Sequence, residues 1–134
     1  MNWPLITAGS LAIIGTLIHG IIGDRIVRRL EPEALQGNPF GSGRNTKFLI
    51  RVTWHFTTIA FATLGIALVV AGVSPRSAAA LGIAYGAGAL FTCWASLVLV
   101  AGFVRGGPRQ LFAHPAPLML SVTAVLVWLG ASWL

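Results

Sequence analysis

Four long apolar runs, Pro4–Ile22, Val52–Val73, Ala78–Val104 and Ala116–Leu134, leave this chain few ways to fold. They hold 19, 22, 27 and 19 residues, and roughly 20 residues of helix cross a hydrocarbon core of about 30 Å. Backbone N–H and C=O groups in lipid must be paired inside the spanning segment or around a closed barrel. None of the runs shows the period-two alternation of a barrel strand, so each reads as one transmembrane helix. Composition agrees: only 9% of the residues are charged, where a soluble domain carries about a quarter. Mean hydropathy is +0.83. The expected fold class is all-α, an integral membrane four-helix bundle forming a single domain over residues 1–134, with polar loops at 23–51 and 105–115.

A net charge of +6 and a pI near 11.5 would suit nucleic acid. The basic residues, however, lie between apolar runs and form no soluble face, so the expected partner is a lipid bilayer and not nucleic acid. The two long loops and their adjoining helix ends hold Arg25, Arg28, Arg29, Arg44, Lys47, Arg51, Arg105 and Arg109, against Arg76 alone in the Ser74–Ser77 turn. The positive-inside rule then places the long loops in the cytoplasm and both termini outside, in a multi-pass protein of the bacterial inner (plasma) membrane. Trp3, Trp128 and Trp133 fit an aromatic belt near the outer ends. The opening stretch MNWPLITAGS lacks a basic n-region and a small-residue cleavage site, and so reads as a retained first helix. The single cysteine, Cys93, excludes an intrachain disulfide and reads as a small packing residue.

Helices in lipid associate through close backbone approach, so small residues at helical spacing mark buried stripes. The first run offers Ala8, Ala12, Gly15 and Thr16 leading to His19, and the second offers His55, Thr58, Ala62 and Gly65. The third offers Gly82 and Gly86 in a G-x-x-x-G, continued by Ala89, Cys93 and Ser96. That face is expected to pack the bundle or to join a homo-oligomer. Between the first two runs, Pro32, Gly37, Asn38-Pro39 and Gly41-Ser42-Gly43 mark turns, and Asp24 to Leu30 can continue the first helix out of the membrane.

The three histidines gather toward one end. His19 lies five residues before Asp24, roughly 7 Å below the first boundary, and His55 lies four residues past Arg51, at a similar depth. His114 precedes Pro115 at the start of the fourth run. Ionisable groups inside a span are costly and mark a function or a specific partner. Neutral imidazole is a common transition-metal ligand, and two histidines on facing helices can also hold haem iron. The candidate site is therefore His19 and His55, joined by His114 and by Asp24, the one acid near a membrane boundary. Each residue also has a plainer role. His55 can hydrogen-bond Thr53, Thr57, Thr58 or Ser96, His114 can simply start a helix, Asp24 can pair with Arg28 at i+4, and Trp54 reads as an interfacial anchor.

His19-Gly20-Ile21-Ile22-Gly23-Asp24 resembles the H-x-x-x-G-[ED] that ends the first span in a family of small, uncharacterised bacterial four-span membrane proteins. Arg51-Val52-Thr53-Trp54-His55-Phe56-Thr57-Thr58 is similar to that family's R-x-x-W-H-x-[TS]-[TS], and Ala113-His114-Pro115 to its His-Pro before the last span. Asp24 stands where glutamate is commoner. The resemblance implies a four-span fold and three histidines of interest, and no activity.

No Walker-type loop, H-E-x-x-H, C-x-x-C or G-x-S-x-G occurs in the chain. Three readings stay open. The histidines hold a transition metal ion or haem near the cytoplasmic face; or the chain is a non-catalytic accessory or assembly subunit of a larger membrane complex; or it is a small membrane enzyme or proton relay. A quinone-like ligand or hydrogen bonds alone would equally fill the pocket expected between His19 and His55.

Overall fold

The computed structural model describes residues 1–37, 41–107, 109 and 114–134. The expected Asn38-Pro39 turn and Ala113 lie outside the described residues. The regular elements are helix α1 (Trp3–Arg29), a 3₁₀ turn (Pro32–Leu35), and helices α2 (Gly43–Val73), α3 (Ala78–Gly106) and α4 (Ala116–Ala131).

Helix ends follow local chemistry more than hydropathy. α1 runs past its apolar stretch to Arg29, where Arg28 and Arg29 in the last turn suit the negative end of the helix dipole. α2 starts at Gly43, well ahead of the apolar Val52. The Ser42 hydroxyl accepts a hydrogen bond from the Asn45 N–H at 3.3 Å, as an N-cap serine does. Arg44 to Lys47 leave the apolar window, yet nothing in them breaks a helix. Gly107 closes α3 with φ 65°, a conformation that glycine adopts without steric cost. α4 has 16 residues and ends before Leu134. α1, α2 and α3 are each long and apolar enough to cross a membrane, and only 22% of each apolar window is buried in the chain. The apolar remainder suits lipid, and the molecule is a small multi-pass membrane protein.

The chain divides into two compact units: Met1–Ile13 with Leu64–Leu134, and Ile14–Thr63. In the first, the start of α1, the end of α2, and all of α3 and α4 pack as a four-helix bundle. Its largest fully buried side chains are Leu5, Leu68, Phe91 and Val127, set among alanines. Small residues permit close backbone approach: a Cβ built on Gly9 would stand 2.5 Å from the Gly65 carbonyl oxygen.

On α3 the buried stripe is Ala80, Ala84, Ala87, Gly88, Phe91 and Ala95. The expectation that Gly82, Gly86, Ala89, Cys93 and Ser96 form the packing face of the bundle is therefore corrected. All five are exposed, and a Cβ on Gly82 or Gly86 would meet nothing within 4 Å. α3 carries small residues on opposite faces, and spacing alone does not choose between them. The choice falls to the face that seats Phe91 and accepts the Trp128 indole against Gly88. Trp128 also donates its Nε1–H to Thr92 Oγ1 at 2.9 Å.

Asn2, 3% exposed, ties three helix ends of this unit together. Its amide donates to the Gly130 carbonyl at 2.7 Å, and its Oδ1 accepts the Leu5 N–H at 3.3 Å as an N-cap. Its backbone N–H donates to the Gly72 carbonyl at 2.7 Å. Asn2→Ala removes the two side-chain bonds, taking the cap from the Leu5 N–H and leaving the Gly130 carbonyl to backbone donors such as the Trp133 N–H. The expected cost is about 1–2 kcal/mol, read as a lower thermal midpoint of the protein in detergent micelles.

Candidate functional site

The second unit, Ile14–Thr63, is an antiparallel hairpin of the end of α1 and the start of α2. Its centre is set by a glycine. A Cβ on Gly23 would overlap the indole of Trp54, so only glycine lets that ring lie flat against α1. Trp54 uses the space twice. Its Nε1–H donates to the His19 carbonyl oxygen at 2.9 Å, and its ring stacks on the His19 imidazole with centroids 4.1 Å apart and planes 4° from parallel. Phe61 meets His19 edge-on, with ring centroids 6.0 Å apart. Thr58 Cγ2 approaches Gly20 so closely that a Cβ there would stand 3.1 Å away.

Beside this stack lies Asp24, 8% exposed. A carboxylate removed from water needs partners, and three converge on it. Arg28 reaches Oδ2 through Nε at 2.6 Å and through Nη2. Arg51 donates from Nε to Oδ1 at 2.9 Å. His55 Nε2 stands 3.2 Å from the same oxygen. An ionised carboxylate only accepts, so the proton of that bond sits on Nε2 of His55. The partners are more open than the acid: the side chains of Arg28, Arg51 and His55 are 65%, 46% and 45% exposed. Lys47 completes the assembly, its Nζ donating to the Arg28 carbonyl at 2.8 Å in the last turn of α1, where a cation suits the helix dipole.

His19, Asp24 and His55 are thus brought into one hairpin, while His114 belongs to the other unit. There His114 is exposed, and its Nδ1 accepts the Ala116 N–H at 3.2 Å, at the start of α4. The expected Asp24–Arg28 pair is present. The ring facing His19 is the indole of Trp54, which corrects the reading of Trp54 as a boundary anchor only. Consecutive residues on a helix point about 100° apart, so when Trp54 covers His19, His55 turns to Asp24. Thr57 and Thr58 donate to the Thr53 and Trp54 carbonyls of their own helix. Among the described residues, no three histidine, cysteine, aspartate or glutamate side chains are grouped as a metal ion requires.

Two roles escaped the sequence reading, those of Arg51 and Trp54. Arg51, Trp54 and His55 are spaced i, i+3, i+4, as His19 and Gly23 are spaced i, i+4, and such spacings put residues on one helix face. That spacing was the available signal. No family model, curated protein or solved structure matches this chain.

Proposed function

We propose that this multi-pass protein is a non-catalytic accessory or assembly component of the bacterial inner membrane, in which the histidine-bearing segments lock a helix hairpin. One observation carries this reading. The side chains there with chemical capability are engaged with one another: His19 on Trp54, and Arg28, Arg51 and His55 on Asp24. The count of basic residues supports an orientation with the 23–51 and 105–115 loops in the cytoplasm and both termini outside. Membership of the small four-span family belongs to the same proposal. It is supported by the contacts between its motifs, Gly23 against Trp54 and Asp24 against Arg51 and His55.

A second reading has an observation of its own. Metal-binding imidazoles are commonly oriented by a carboxylate on the other ring nitrogen, and Asp24 stands so to His55. In that reading His55, with His19 and with Asp24 in support, holds a transition metal ion or haem within the hairpin.

Elemental analysis of the detergent-purified protein beside His55→Ala separates the two. The accessory reading expects no stoichiometric metal in either protein, and a partner that co-purifies with the wild type in fixed ratio. About one metal per chain, lost in His55→Ala, would replace it with the metal-site reading.

A further inference from the structure

We infer that Arg28 and Arg51, bracketed by Asp24, form a binding site for the phosphate of an anionic phospholipid. The inference uses only the membrane location of the helices. It stands on either orientation and on either reading of the histidines.

The hairpin unit is cationic. Arg25, Arg28, Arg29, Arg44, Lys47 and Arg51 face three acids, Asp24, Glu31 and Glu33. Diffuse attraction of such residues to anionic lipid is general, and it depends on net charge alone. Here the arrangement adds geometry. Asp24 fixes two guanidiniums on its two oxygens, Arg28 through Nε and Nη2 and Arg51 through Nε. A guanidinium has five donors in a planar fork that matches phosphate, so both arginines keep donors beyond those that Asp24 takes. Both side chains are about half exposed or more. Lys47, tied to the Arg28 carbonyl, adds a third cation. One carboxylate among three cations leaves the cluster positive. Because the arginines are already held, little side-chain freedom is lost when an anion binds.

The surroundings fit a lipid better than a free ion. Phe48, Val52, Phe56 and Ile59 form an exposed apolar stripe along α2 at helical spacing. It lies next to the line of Arg51 and His55. A phosphate at Arg51 would place its acyl chains along that stripe.

The test is native mass spectrometry of the full chain released from detergent micelles doped equally with phosphatidylglycerol and phosphatidylcholine. One phosphatidylglycerol retained in preference to phosphatidylcholine is the expected result. Arg51→Lys keeps the charge but loses the fork, and should weaken retention about tenfold, the worth of one charge-assisted hydrogen bond. Arg44→Lys, outside the cluster, should leave retention unchanged. Asp24→Asn gives the sharper sign. It raises the net charge yet releases the bracket, so retention should fall. Tighter retention by Asp24→Asn, or an unchanged Arg51→Lys, would mean diffuse surface charge and would overturn the site. Displacement of the lipid by millimolar inorganic phosphate would overturn its assignment to a phospholipid.

Discussion

Replacing Gly23 with leucine is expected to push Trp54 off α1 and to destabilise the protein by about 2–3 kcal/mol. The position where any Cβ would be is already filled by Cε2, Cζ2 and Nε1 of the indole. The ring has no cheap way to retreat, because displacement breaks its hydrogen bond to the His19 carbonyl and its stack on the imidazole. Alanine makes the smaller intrusion and gives the cleaner proof. In an unobstructed helix interior, Gly→Ala stabilises by up to about 1 kcal/mol through backbone entropy. In the wild type Gly23→Ala should therefore destabilise, and in a Trp54→Ala background it should be neutral or stabilising. That reversal of sign, measured by thermal unfolding of the four proteins in one detergent, is a coupling of about 1–3 kcal/mol. Equal effects of Gly23→Ala in the two backgrounds would mean that the indole does not occupy this place.

The helical class was legible because lipid imposes one solution on long apolar runs, and the run from Val52 to Val73 could hardly be anything else. Helix ends were less legible. α2 extends back to Gly43 through polar residues that hydropathy discards. The packing face of α3 was read wrongly for a physical reason: Gly82 and Gly86 carry the motif, but Ala80, Ala84 and Gly88 carry the contact. Small residues permit approach without compelling it. At the candidate site the Asp24–Arg28 pair was legible from its i, i+4 spacing, and the neighbours of the two histidines were not. His19 and His55 share a depth, which suggested that they face each other. The side chain next to His55 takes the position over His19 because an indole is large enough to fill the space that Gly23 leaves. Sequence distance fixes depth along a helix, whereas rotation about it depends on which side chain fits.

Asp24→Asn is expected to cause the larger loss among substitutions of the polar cluster, and the loss should depend on salt. The amide keeps the shape of the carboxylate while the charge goes. Arg28 and Arg51 then face each other across a neutral group, and attraction at both oxygens gives way to repulsion between guanidiniums. Removing one arginine is milder, since Arg28→Gln leaves the acid still paired with Arg51 and His55. The order of thermal midpoints should be wild type, then Arg28→Gln, then Asp24→Asn, with the last several degrees below the first. The arginines are about half exposed, so counterions reach the cluster, and the Debye length falls from roughly 20–30 Å near ~0.02 M salt to about 3 Å at ~1 M. The repulsion left by Asp24→Asn is screened at high salt, as is the attraction it removes. The gap between wild type and Asp24→Asn should therefore narrow as salt is raised, while the gap for Gly23→Leu, which is steric, should hold constant. A gap for Asp24→Asn that is indifferent to salt would assign the carboxylate a hydrogen-bonding role, in which its charge counts for little.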